Sequence, residues 1–286
     1  MARVMPVDGT VSSQPLRVAL LTLEALASAA PVRRFVAAHP ERIALVALSD
    51  PHRPQRGGFI GQAWRLLRRS GPRLIPYLLA NFELPHLARW LPAGDASPER
   101  TPMAALCARL GIPVAMVSDM NAPAFHERLA ASGAALILTF HCDQILTAAT
   151  IACLPRGGLN VHAGLLPDHR GPTPTIHALL EDPPRFGVTL HRLAPRIDAG
   201  AILAQRHLDL PTDTTALDAA ERLHEAALPM LVEVLDAMAG GTAREHAVAP
   251  RPYCGFPTMA EMRTLARKRR RAASWRDMAR ALRTPV

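Results

Sequence analysis

The stretch LNVHAGLLPDHRG, residues 159–171, decides how this chain is read. Asn160 and His162 stand two apart at the end of a short apolar run, and in a β-strand that spacing turns both side chains to one face. A turn with Gly164 and Pro167 follows, then Arg170 and Gly171. Farther on, Asp198 sits in the turn sequence RIDAG. An amide, an imidazole and a carboxylate are what acyl transfer to an amine requires: a donor to an oxyanion, a proton shuttle, and a group that orients and charges the imidazole.

Outward from this strand the pattern is that of an α/β protein. Residues 16–22 and 43–49 read as buried strands with a helix over 29–38 between them, a βαβ opening that implies a parallel sheet. Further strands are predicted over 113–117 and 134–140, and helices over 102–110 and 122–131. Residues 186–193 and 201–208 suit an antiparallel pair at the sheet edge, and 216–238 is a periodic helix ended by Gly240 and Gly241. The expected fold is a Rossmann-like, doubly wound, mostly parallel sheet with a helical insertion and a short C-terminal extension. Residues 1–14 read as a flexible lead, 15–240 as the catalytic domain and 241–286 as a strap with helices over 259–268 and 274–282. The insertion, 55–92, mixes apolar and basic residues broken by prolines. It is open to three readings: short helices packed on the domain, a lid over the acceptor, or a membrane-surface element.

Composition narrows the classes. Half the 286 residues are hydrophobic and aromatics are few, so an aliphatic core is expected. Cys107, Cys142, Cys153 and Cys254 lack metal-ligand spacing and read as reduced thiols of a cytoplasmic protein, with no metal. Neither a signal peptide nor an apolar run of membrane-spanning length is evident. The formal charge of +9 suits acidic partners, but arginine is spread along the chain and dense only over 263–271. No groove-reading motif accompanies that run, so DNA is not an expected partner.

The string 159–171, followed by GVTLHRLAPRIDAGAILAQ, resembles the core of the folate-dependent formyltransferases, a family that includes glycinamide ribonucleotide, methionyl-tRNA and amino-sugar N-formyltransferases. Asn160, His162, Leu165, Leu166, Pro167, Arg170, Gly171, Asp198 and Gly200 match its signature in order and spacing, and Gly164 departs from the usual Ser. The resemblance implies Asn160, His162 and Asp198 as catalytic residues, with Asp198 raising the His162 pKa. It implies 10-formyltetrahydrofolate as co-substrate, in a slot formed by Phe140, Cys142, Asp143, Ile145 and Leu146 and by Arg196 and Ile197, with Val114, Met116 and Val117 as further walls. Leu166, Pro167, Arg170 and Gly171 form the substrate loop, Arg170 holding its shape. His141 has no counterpart in the family pattern and is given no role.

The acceptor is narrowed by two absences. The first strand runs into LTLEALASAAP without a glycine-rich phosphate loop, and the tail is short for a transfer-RNA-binding barrel. A small or nucleotide-linked amine remains, an amino sugar or amino acid derivative, in a possible homodimer. The alternatives are a formyltetrahydrofolate hydrolase, whose usual amino-terminal regulatory domain is not matched by the short lead here, and an inactive folate-binding homologue.

Overall fold

Strand β1 (Val18–Thr22) is an interior strand of a seven-stranded sheet in the order β3-β2-β1-β4-β5-β6-β7. The other strands are β2 (Ile43–Ser49), β3 (Val114–Val117), β4 (Leu136–Phe140), β5 (Gly158–His162), β6 (Phe186–Arg192) and β7 (Ile202–Leu208). The computed structural model describes residues 15–50, 58–91 and 97–286. The expected lead over 1–14 lies outside them, as do residues 55–57 and 92 of the insertion.

The first five strands run parallel, and β6 and β7 are antiparallel, as the sequence pattern predicts. Every residue of VALLT, IALVALS and LILTF is buried, because helices cover both faces of a parallel sheet. Alternation divides these residues between two cores. Val18 and Leu20 join a large aliphatic core, while Ala19 and Leu21 join a thinner one with Ala47, Ala115, Phe125 and Leu129. Strand β7 closes the edge with the polar residues Gln205, Arg206 and His207 exposed.

The chain leaves β1 toward β2 on one side and returns to β4 on the other. A crevice opens at the carboxyl ends of strands on either side of such a switch, and the candidate site lies there. Helix α1 (Leu26–Ala38) begins three residues earlier than predicted and carries Pro31 in its interior. Proline cannot donate to the carbonyl four residues back. The orphaned carbonyl of Ala27 instead accepts from Nδ1 of His224, at 2.8 Å, on the long helix Ala216–Ala239. At the α1 N-terminus, where Ala25 offers no side-chain cap, the Ala27 N–H donates to Oδ1 of Asn81 from the insertion, at 3.0 Å.

After α1 come α2 (Gly58–Ser70), α3 (Ile75–Leu78), a π turn (Leu79–Glu83) and α4 (Leu84–Ala88), so the described insertion is helical. Helices α5 (Met103–Leu110), α6 (Pro123–Ala131), α7 (Ala148–Ile151), α8 (Pro174–Leu180) and α9 (Ala216–Ala239) follow, and the tail carries α10 (Met259–Arg267) and α11 (Trp275–Ala281). Helices α7 and α8 are not foreseen from sequence, since both are short and α8 starts among prolines.

Arg33, fully buried on α1, ties this layer together. It donates to Glu24 Oε1 through Nε at 2.9 Å and Nη2 at 2.5 Å, to the Glu99 carbonyl at 3.0 Å and to the Pro285 carbonyl at 2.6 Å. Removing one partner of a buried pair strands the other charge in low dielectric. Glu24→Ala is therefore expected to lower stability by about 3–5 kcal/mol, and Arg33→Met added to it to cost less than the sum of the two single changes. Urea unfolding of the four variants of the cycle measures both; strict additivity would show that the pair is not coupled.

Candidate active site

Asn160 and His162 emerge on one face of β5, and the register decides what they meet. Asn160 lies opposite His191 of β6 and beside Thr139 of β4, while His162 lies opposite Thr189. Thr139 Oγ1 donates to Asn160 Oδ1 at 2.7 Å, and Asn160 Nδ2 reaches His191 Nε2 at 2.9 Å. His191 Nδ1 faces the Arg192 carbonyl at 2.8 Å and so carries the hydrogen, leaving Nε2 to accept from Asn160. The amide is thereby fixed in one orientation, with one of its two N–H donors committed.

His162 is fixed by the same logic. Nε2 faces the His169 carbonyl at 2.8 Å and donates to it, so Nδ1 of the neutral ring presents a lone pair. Asp198 Oδ1 lies 3.8 Å from that atom and 3.6 Å from His191 Nε2. These are ion-pair distances beyond hydrogen bonding, so the carboxylate stands ready for a proton arriving on Nδ1. Burial pushes the His162 pKa down and outweighs the upward pull of Asp198. Asp198 does pull it upward, as expected, but the desolvation of a buried imidazole is the larger effect and sets the net direction. Burial also opposes ionisation of Asp198, but His162, His191 and the Gly171 N–H hold that carboxyl at about 2.

The turn carrying Asp198 is held from the signature loop. Asp198 has φ 46° and accepts the Gly171 N–H on Oδ2 at 2.8 Å. Arg170, almost wholly buried, donates to the carbonyls of Asp198, Ile197 and Arg251 and pairs with no acid among the described residues. Cys254 N returns a hydrogen bond to the Arg170 carbonyl at 2.8 Å. Gly171 has φ 131°, and a Cβ there would come within 1.9 Å of the Cys254 carbonyl oxygen. At Gly164, a Cβ would lie 2.8 Å from His162 Nε2 and 2.5 Å from Cβ of Pro174. A side chain at 164 would require that packing to shift.

Asn160, His162 and Asp198 line a single cavity of about 380 Å³, together with Cys142, Asp143, Ile145, Leu146, Gly171 and Ile197. Val114, Met116, Phe140, Arg196, Leu166, Pro167 and Arg170 are not among its walls. Met116 is exposed on β3, two strands from the switch point, Val114 and Val117 pack on the core, and Arg196 points to solvent. Phe140 alternates with Thr139 and turns into the core, its ring 5.1 Å from that of His224. Leu166 and Arg170 are buried behind the loop.

The opposite wall comes from residues given no role from sequence. Tyr77 and Phe82 of the insertion, His141 after β4, His224 of α9, and Tyr253 and Phe256 of the tail all face the cavity. His141 has φ 54° and contacts Ser28 Oγ through Nδ1 at 2.8 Å. Burial lowers the His141 pKa to about 4 and that of His224 to about 3, so both are neutral at pH 7. The buried hydroxyl of Thr173 lines the same space without a protein partner among the described residues. His191 is the residue sequence reading most plainly passed over. Its signal is the alternation of Thr189 and His191 along GVTLHR, just before RIDAG.

Comparison with known proteins follows this geometry. Residues 100–235 match the family model described as formyl transferase. Among solved structures, a sugar N-formyltransferase from Shewanella sp FDAARGOS_354 is 16% identical, with a TM-score of 0.53 over 94% of this chain and 87% of that one. Glycinamide ribonucleotide transformylase 1 from Symbiobacterium toebii is 18% identical, with a TM-score of 0.55 over 83% of this chain and 96% of that one. The N-formyltransferase from Helicobacter canadensis, solved with folinic acid and dTDP-3-aminofucose, is 13% identical, with a TM-score of 0.53 over 84% and 71%. At such identities these likenesses establish the shared α/β fold. The family match over residues 100–235 contains the signature strand and the Asp198 turn.

Proposed function

We propose that the protein is an N-formyltransferase that moves a formyl group from 10-formyltetrahydrofolate to the amine of a small or nucleotide-linked acceptor, an amino sugar or amino acid derivative. The observation that carries this reading is the convergence of Asn160, His162 and Asp198 on one cavity, with His162 Nδ1 facing the Asp198 carboxylate. The folate-bound and sugar-bound state of the Helicobacter canadensis relative supports the same classes of ligand here.

The cavity suits a folate head group. Its volume falls within the range of small-molecule sites, and apolar walls from Leu146, Leu193 and Ile197 are joined by the unpartnered Thr173 hydroxyl. Cys142, Asp143, Ile145, Leu146 and Ile197 would hold it, and the co-substrate would supply the electrophilic formyl carbon. Asn160 has its second N–H to give to the formyl oxygen as charge builds there. His162 Nδ1 takes the proton of the attacking amine, Asp198 stabilises the imidazolium so formed, and the same proton is returned to the departing nitrogen. A phosphate is not held at the α1 N-terminus in this reading, since the Ala27 N–H is already given to Asn81.

Release of tetrahydrofolate is the measurement, against nucleotide-linked amino sugars, hydroxylated amino acids and simple diamines. Turnover with one class supports the reading; folate consumption without any amine would replace it with hydrolysis. Asn160→Ala is expected to lower kcat by about a hundred- to a thousandfold, and His162→Ala by about a hundred- to ten-thousandfold. The pH profile carries a sign. A base whose pKa is held below the ordinary 6.5 stays active through neutral pH and loses activity only on the acid side of that value. Asp198→Asn removes the one acid that pulls His162 upward. The acid limb of kcat/KM should then move to still lower pH, with kcat reduced. A limb that moves upward, or a wild-type limb above the ordinary imidazole value, contradicts this assignment.

A further inference from the structure

The insertion has two faces, and only one of them serves the cavity. Leu74, Tyr77, Ala80 and Ala88 turn inward and are buried, with Tyr77 reaching the cavity wall. Outward, Trp64, Leu67, Leu79, Leu87, Trp90 and Leu91 are exposed, Trp90 by 82%. Helix α11 packs against α4 and the π turn, and the backbone N–H of Val286 donates to the Pro85 carbonyl at 3.2 Å. It extends the same surface with Leu282 and with Trp275, which is 79% exposed. Trp90 and Trp275 are thus exposed on or beside packed elements, and Trp64 is exposed on α2, although tryptophan is ordinarily among the better-buried side chains.

Exposed arginines share these elements: Arg68, Arg73 and Arg89 on the insertion, Arg276 and Arg283 beyond it, while Arg69 donates to the Phe256 carbonyl of the tail. Arg68 lies over the Trp64 ring at 4.5 Å. Among the described residues of these elements the acids are few. Glu83 is half-buried in the π turn, and Asp277 is buried in the cap of α11.

We propose that this surface docks the protein onto an anionic phospholipid bilayer, lying in the headgroup region without crossing it. Charge selects the partner class. A second copy would bring the same arginines against themselves, and like charges repel. A nucleic acid would satisfy the arginines but leave the exposed leucines in water, whereas the lipid interface takes all three groups. Leucine meets the acyl boundary, tryptophan sits at headgroup depth, and arginine reaches lipid phosphate from an aliphatic stem. Among the described residues no helix is long and apolar enough to cross a membrane, which suits a protein that lies on one.

The test is co-sedimentation of the full chain with vesicles of phosphatidylcholine alone or in equal parts with phosphatidylglycerol, at low and high salt. Binding is expected to the anionic vesicles, about tenfold or more above the neutral ones, with a salt-dependent loss and a blue shift of tryptophan emission. The double variant Trp90→Ser, Trp275→Ser should lose about tenfold or more of that affinity while keeping its circular dichroism and melting curve. Neither tryptophan touches the cavity, so folate-dependent turnover serves as a control for the fold. Equal partition onto both vesicle types, or undiminished binding by the variant, overturns the proposal. So does a wild-type dimer in sedimentation equilibrium that the same variant dissociates, or an RNA oligonucleotide retained in place of the vesicles.

Discussion

Arg170 is the constraint on which the site depends. Its guanidinium is buried yet pairs with no carboxylate among the described residues; it is satisfied by the carbonyls of Ile197, Asp198 and Arg251. A buried cation is costly unless its donors are met, and a planar fork is well suited to meeting several carbonyls at once. By joining the signature loop, the RIDAG turn and the tail, it sets where Asp198 stands relative to His162. The Gly171 N–H on the Asp198 carboxylate completes the arrangement.

The strands and the placing of Asn160 and His162 on one face were legible because both are written locally. Buried strands show as apolar runs, and the two-residue spacing of Asn160 and His162 is a strand property. What sequence reading missed depends on register and tertiary packing. Nothing near His191 says that it will lie opposite Asn160, and nothing in the tail says that Tyr253 and Phe256 will close a cavity. Val114 and Met116 were expected in the folate walls, but their strand lies too far from the switch point. The net direction of the His162 shift is likewise a tertiary quantity, since it turns on how much water the fold removes.

The start of α1 shows how a local defect is repaired at long range. Pro31 leaves one carbonyl without a donor and Ala25 leaves one N–H without a cap. The first is answered by His224, and the second by Asn81. Both repairing groups come from segments that also wall the cavity, so the helix start and the site are built from the same pieces. His224 is kept neutral by that burial, against the upward pull of its hydrogen bond to Ala27.

The tail gives the molecule a chronology. The seven strands are all present once the chain has reached Leu208, and domains form in the order they emerge during synthesis. The groups that close the loop around Asp198 come later, with Arg251 and Cys254, and the Arg33 contact to the Pro285 carbonyl spans 252 positions. Closures over such separations carry the largest entropic cost and form slowly. The sheet can therefore be finished while the Asp198 carboxylate still lacks its full support.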